Sequence, residues 1–292
     1  MGMPLPVEKP AVTELVPRAI ASNALSTFRT RHEFSHFASF RTTDEFLAYR
    51  HWAKTRNLPL FVLGKGSNIL FCRRRIEAVV LLNKLPRQVS PLGNDRFYIS
   101  SSASIGEVLR VCRQQSRDSF YYLASVPASI GGALAMNAGR GQQFNQTIYD
   151  FVESVTILSD DGPVTISRAD IAITYRWTQF LDRPDVLLLG ATFRFPPAEL
   201  AGDPVAERIR YCKDVQDPVG PNCGSAFSHC DMRIMGRLRG LRLLGASYSA
   251  KTNNWILNRS DSSRGIVALL TLARLCHWLS RRTCRIEYIR IR

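Results

Sequence analysis

The sequence predicts an α+β fold. Strand-like runs and helical periodicities are mixed along the chain, without the regular strand–helix–strand alternation of a parallel sheet. Two local signals are specific. Asp161-Gly162 joins apolar runs at 151–158 and 164–166 as a β-hairpin. Ser104-Ile105-Gly106-Glu107 is a capping box, and Val108, Leu109 and Cys112 then share one helical face.

The remaining elements follow in chain order. Residues 1–22 carry Pro4, Pro6, Pro10 and Pro17 and read as a loose arm. Thr42 or Thr43 can cap a helix over 43–57, with Asp44 and Glu45 in its first turn and Phe46, Tyr49 and Ala53 at helical spacing. Strands are expected at 61–63, 69–71, 78–82, 97–101 and 186–195. Pro196-Pro197 ends the last of these, and the mixed stretch 198–222, with Pro204, Pro218, Gly220 and Pro221, is the expected domain boundary. Beyond it the sequence predicts a strand near 242–246, a helix over 263–280 and a strand over 285–291. The expected division is an arm (1–22), a first domain of two subdomains (23–88 and 89–197) and a C-terminal domain (198–292).

Composition narrows the chemistry. With 292 residues, 45% hydrophobic and 22% charged, disordered and fibrous classes are excluded. Lys and Arg number 39 against 24 Asp and Glu, a net charge of +15 that attracts anions. Nucleic acid is one such anion. However, the basic knots Arg73-Arg74-Arg75 and Arg281-Arg282 are not interleaved with aromatics, and no nucleic-acid partner is expected. A small polyanion such as a nucleotide diphosphate would use the same field, and so would a merely solvated Arg-rich surface. The seven cysteines form no C-x-x-C pair and the five histidines no H-E-x-x-H, so neither a disulfide scaffold nor a metal site is expected. No apolar run approaches the ~18 residues of a membrane span and no secretory signal is visible, so a cytoplasmic protein with no membrane partner is expected.

Two small-residue segments stand out. Gly64-Lys65-Gly66-Ser67-Asn68 lies between two strands, and fits neither the dinucleotide fingerprint nor the P-loop, because no helix follows and Gly66 follows Lys65. Such a loop lets backbone N–H groups approach a phosphate; a ligand-free tight turn has the same composition. Ser125 to Gly139 is almost all small residues, which suits either a buried, closely packed helix or a backbone wall against a flat ligand. Together the two segments suggest a bound dinucleotide.

In order along the chain stand Leu25-Ser26-Thr27-Phe28, Val62-Leu63-Gly64-Lys65-Gly66-Ser67-Asn68-Ile69-Leu70, Val126-Pro127-Ala128-Ser129-Ile130-Gly131-Gly132-Ala133 with Asn137-Ala138-Gly139, and Tyr175-Arg176. Cys223-Gly224-Ser225-Ala226-Phe227, Leu238-Arg239-Gly240-Leu241-Arg242 with Asn254 and Asn258, and Ile286-Glu287-Tyr288 follow. From about Leu25 onward this series resembles the MurB family, the UDP-N-acetylenolpyruvoylglucosamine reductases of peptidoglycan synthesis. The resemblance implies an FAD-binding fold of the vanillyl-alcohol-oxidase/MurB type over 23–197 and a substrate-binding C-terminal domain over 198–292. It implies FAD as cofactor, NADPH as reductant and a UDP-sugar substrate; a monomer is expected. It assigns FAD to Gly64, Lys65, Gly66, Ser67, Asn68, Pro127, Ser129, Ile130, Gly131, Gly132 and Asn137.

The same resemblance assigns the chemistry. Reducing an enol ether conjugated to a carboxylate needs a hydride at the β-carbon, a cation against the developing charge and a proton for the α-carbon. Arg176 is the implied cation, Ser225 the proton donor, and Glu287 the partner that holds the carboxylate or passes protons. Tyr175, Arg176 and Asn254 are the implied substrate contacts. The chain departs from the family pattern at Trp177-Thr178, at Ser228-His229-Cys230, and at Ala250 and Thr252 of Ser249-Ala250-Lys251-Thr252. Arg233 or Arg237 could replace a cation missing there. These departures keep open a related FAD oxidoreductase with another substrate.

Overall fold

The computed structural model describes residues 15–183, 185–217 and 220–292. The first subdomain contains β1 (Arg18–Ser22), β2 (His32–Phe40), α1 (Thr43–Thr55), β3 (Leu60–Leu63), β4 (Ile69–Phe71) and β5 (Arg75–Asn83). Its sheet has the order β1-β2-β5-β3, with β2, β5 and β3 parallel and β1 antiparallel at the edge. The central strand β5 is apolar on both faces, as a parallel strand covered on both sides must be. Val79 and Leu81 join the cluster containing Phe46 and Ala53 of α1, and Ile76, Ala78 and Val80 join Phe34 and Phe71 on the other side. Thr42 caps α1 by accepting the Glu45 N–H at 3.1 Å, a contact that contributes about 1 kcal/mol. The loose-arm expectation was too long: Arg18–Ser22 is a strand, and residues 1–14 lie outside the described residues.

The second subdomain contains β6 (Val89–Gly93), β7 (Arg96–Ser100), α2 (Ile105–Gln114), α3 (Ile130–Ala135), β8 (Val152–Ser159), β9 (Gly162–Ser167), β10 (Ile173–Thr174), β11 (Trp177–Thr178) and β12 (Leu187–Arg194). Five of its strands form an antiparallel sheet in the order β6-β7-β12-β8-β9, and β10 and β11 form a separate small hairpin. Both halves of the predicted capping box are present on α2. Val108, Leu109 and Cys112 pack with Ile99 and Phe193 of the sheet.

The C-terminal region contains α4 (Pro204–Val215), β13 (Phe227–His229), α5 (Met232–Arg237), β14 (Arg242–Leu243), β15 (Ala246–Tyr248), β16 (Ile256–Asn258), α6 (Arg264–Leu279), β17 (Arg285–Ile286) and β18 (Ile289–Ile291). The expected mixed connector 198–222 thus holds a helix. Asp203 caps it by accepting the Val205 and Ala206 N–H groups, and Pro204 sits in its first turn, where no N–H partner is needed. The single strand expected over 285–291 is two short ones: β17 pairs with β13, β18 pairs in parallel with β4 of the first subdomain, and Glu287-Tyr288 lies at the break. That break carries one face of the site. The last strand therefore crosses back, and Phe28 and Leu70 pack in the C-terminal core.

Candidate active site

The two small-residue segments meet. Ser129 caps α3 by accepting the Gly132 N–H at 3.3 Å, and its hydroxyl occupies the place where a Gly64 Cβ would stand. Gly66 has φ +67°, and a Cβ there would run into the Leu25 carbonyl. Glycine is required at Gly66 for both space and conformation, whereas a Cβ at Gly64 would displace the Ser129 hydroxyl from its capping place. The loop is held through its carbonyls: Gly66 O accepts the Thr27 N–H and Asn68 O accepts the Ile289 N–H.

Between these walls and the C-terminal region lies a cavity of about 940 Å³. Gly64, Lys65, Gly66, Ser67, Asn68, Pro127, Ser129, Gly131 and Gly132 line it, and so do Tyr175, Arg176, Ser225 and Glu287. Sequence segments far apart are thus brought to one space, large enough for a dinucleotide and part of a second ligand.

Three expected contacts are not on its wall. Ile130 is fully buried in the second subdomain's core. Asn137 is buried at the end of α3, where its Nδ2 donates to Thr174 O at 2.9 Å. Asn254 turns away to the Phe227 backbone, accepting from its N–H at 2.9 Å and donating to its O at 2.7 Å. Asn137 and Asn254 hold the walls rather than form them. The amide of Asn137 and the Thr178 hydroxyl, which donates to Ala135 O at 2.7 Å, clamp the β10–β11 hairpin to α3 from both sides. Tyr175 and Arg176 form the tip of that hairpin, with Arg176 at φ +58°. Asn254, at φ +65°, braces the turn that presents Ser225, and its carbonyl accepts the Ala226 N–H at 2.7 Å.

The reactive-looking groups converge from three segments. Arg176 Nε lies 3.1 Å from Glu287 Oε1, and Arg176 Nη2 donates to Gly139 O at 2.8 Å. The Nε–H is not aligned for a hydrogen bond with the protein, so the contact is one of charge. Glu287 donates its backbone N–H to Ala226 O, and Tyr288 donates its hydroxyl to Gly224 O at 3.0 Å, so the break between β17 and β18 is fastened to the Ser225 turn. Burial raises the Glu287 carboxyl above its ordinary range, with the Arg176 charge pulling it back down. The arrangement can hold a carboxylate beside a guanidinium, with a hydroxyl and a proton-retaining acid close by.

Sequence reasoning missed several lining residues. Arg208, Cys212 and Lys213 reach the cavity from α4, and Arg140, Tyr122 and Trp255 also line it. Asp203-Pro204 followed by Glu207 is a helix-start signal that would have revealed α4. The cations suggested at Arg233 and Arg237 are exposed on α5 and absent from the cavity wall. The cavity's cations are Lys65, Arg140, Arg183, Arg208 and Lys213, beside Arg176. Of the departures from the family pattern, Thr178 has a packing role, and Ser228, His229 and Cys230 lie off the wall.

Residues 34–167 match the family model described as an FAD binding domain. The chain is 28% identical over 262 residues to the UDP-N-acetylenolpyruvoylglucosamine reductase of Aquifex aeolicus, covering 86% of each chain. It is 26% identical over 273 residues to the enzyme of the same name from Synechocystis, covering 87% of this chain and 85% of that one. The fold is similar to that of the MurB crystal structure from Thermus caldophilus, with a TM-score of 0.74 and 19% identity over 94% of this chain and 100% of the other. Among the described residues no helix is long and apolar enough to cross a membrane, and no cluster of candidate ligands could hold a metal. The glycine walls, the FAD-domain match and the length of the aligned relatives agree: the chain is an FAD-dependent oxidoreductase similar over most of its length to the UDP-N-acetylenolpyruvoylglucosamine reductases (MurB).

Proposed function

We propose that this enzyme reduces UDP-N-acetylglucosamine enolpyruvate to UDP-N-acetylmuramate with NADPH. The observation that carries this reading is the meeting of Arg176, Ser225 and Glu287 at the cavity that the glycine walls border. The cavity suits FAD because backbone replaces side chains along those walls, where added carbons at Gly64 and Gly66 would collide. Gly64, Gly66, Ser129 and Gly131 would hold the cofactor, which, when bound, supplies hydride transfer from NADPH to the β-carbon of the enol ether.

The remaining steps belong to the side chains. Arg176 presents a planar fork to the substrate carboxylate, whose negative charge grows as the double bond is reduced. Its backbone and its Gly139 contact fix that fork before substrate arrives, so little reorganisation accompanies the charge. Ser225 delivers the proton to the α-carbon from its hydroxyl. A serine hydroxyl is a weak acid and needs resupply. Glu287 retains a proton to higher pH than an ordinary carboxyl and is fastened to the same turn, which supports a relay. The cationic lining from Lys65, Arg140, Arg208 and Lys213 supports a ligand rich in phosphate.

Steady-state NADPH oxidation tests this reading. Consumption should require the enolpyruvyl UDP-sugar, and mass spectrometry should find a product heavier by two hydrogens. NADPH oxidation indifferent to that substrate would reject the assignment.

A further inference from the structure

We propose that the exposed end of α6, with the start of α5, docks on an anionic membrane surface. Trp278 is 72% exposed and Leu279 67%, with Leu275 and Met232 about half exposed. Large apolar side chains at this exposure, gathered at one place, mark an interaction surface. They are gathered because Asp231, next to Met232, donates its backbone N–H to His277 Nε2 at 2.9 Å, and His277 is wholly buried beside Trp278. The buried histidine fixes the junction of the two helices and leaves Trp278 and Leu279 on its outer side.

Charge complementarity selects the occupant. From Ser262 to the end of the chain there are seven arginines and one acid, Glu287, which faces Arg176. Arg274, Arg281 and Arg282 lie on or just past the last turns of α6, and Arg233 on α5. Asp231, the one carboxylate at the junction, is occupied by the α5 cap and by Arg282 at 3.5 Å. Among the described residues Arg274 and Arg281 form no ion pair within 4.0 Å, while the Arg233 charge, like that of Arg282, acts on Asp231. A tryptophan and leucines ringed by unneutralised arginines match the boundary of a bilayer rich in anionic lipid: the apolar groups enter the headgroup layer and the guanidiniums meet phosphates. Neither the 940 Å³ cavity nor its small neighbour includes these side chains. No membrane partner was expected because no apolar run is long enough to span; a peripheral contact needs none.

Flotation of the FAD-loaded full chain with vesicles tests the proposal independently of the catalytic assignment. Vesicles of phosphatidylcholine with about one third phosphatidylglycerol should carry the protein, and phosphatidylcholine alone should not. Trp278→Ser/Leu279→Ser should lower binding at least about tenfold with FAD content unchanged. Arg274→Glu/Arg281→Glu should abolish it. Arg73→Glu/Arg110→Glu, an equal charge change elsewhere, should retain most of it. Three results would overturn the proposal. One is no flotation of the parent. Another is equal loss from both charge reversals, which would mean attraction by net charge alone. The third is self-association of the parent, seen in sedimentation velocity and removed by Trp278→Ser/Leu279→Ser, without vesicle binding.

Discussion

Arg176 and Glu287 meet at 3.1 Å although they come from different subdomains. Arg176 sits at the tip of a two-stranded hairpin clamped to α3, and Glu287 at the break between two short strands clamped to the Ser225 turn. The pair therefore reports the closure of the FAD-binding region against the C-terminal region. Each member also has capacity to spare for a ligand. Arg176→Lys keeps the charge and loses the fork. It should leave FAD bound and lower kcat/KM for the enolpyruvyl substrate about 10²–10³-fold. Steady-state kinetics on FAD-saturated protein checks this.

Ser225→Ala should separate the two halves of the cycle. NADPH should reduce the enzyme nearly as fast as it reduces the parent, while oxidation by substrate slows at least about 10²-fold. Equal slowing of both halves would remove Ser225 from proton delivery. Rapid-mixing absorbance at the flavin band reads each half separately.

Burial raises the Glu287 carboxyl above its ordinary 4.5. The folded chain thus keeps this proton at a pH where the unfolded chain has released it. The stability so contributed is complete below pH 4.5 and is lost as pH rises through the folded-state value. Glu287→Gln keeps the neutral form throughout. As pH rises from 4.5 toward neutrality, the parent's unfolding free energy should fall relative to the variant's, as urea titrations would reveal. A constant difference between them would mean that the carboxyl titrates normally.

Gly66→Ala should cost the cofactor. It places a Cβ against the Leu25 carbonyl and forces an L-residue to φ +67°. The strain alone is about 1–2 kcal/mol, and the collision adds to it by displacing the loop. The purified variant should retain much less FAD than the parent and unfold at lower temperature, measured by absorbance and calorimetry.

Asn254→Ala tests a supporting role. It removes both hydrogen bonds to Phe227 and leaves a non-glycine residue at φ +65°, together costing about 2–4 kcal/mol. FAD content and reduction by NADPH should persist, while oxidation by substrate slows because the Ser225 turn is no longer braced.

Much of the fold was legible because local signals and tertiary packing agree. The capping box at Ser104, the turn at Asp161-Gly162 and the continuous apolar run of β5 each encode their element within a few residues. The C-terminal strand was not legible as two pieces. Its break at Glu287-Tyr288 is set by partners on β13 and β4, and no local residue announces it. The site divides the same way. Residues whose backbone forms the walls carry a glycine signature. Asn137 and Asn254 carry the same sequence signal whether they touch a ligand or brace a turn, and only their hydrogen bonds separate the two cases. The Arg208 and Lys213 lining was missed with α4 itself, because Pro204 reads as a breaker until Asp203 is recognised as its cap.

The most direct test of the central claim is a single turnover. Anaerobic enzyme, its FAD reduced chemically without NADPH, is mixed with UDP-N-acetylglucosamine enolpyruvate, and the flavin absorbance is followed. The account predicts rapid recovery of the oxidised band with one equivalent of UDP-N-acetylmuramate formed, and slow recovery in Arg176→Lys and Ser225→Ala. A reduced band that persists in the parent, with bound FAD confirmed, would contradict it.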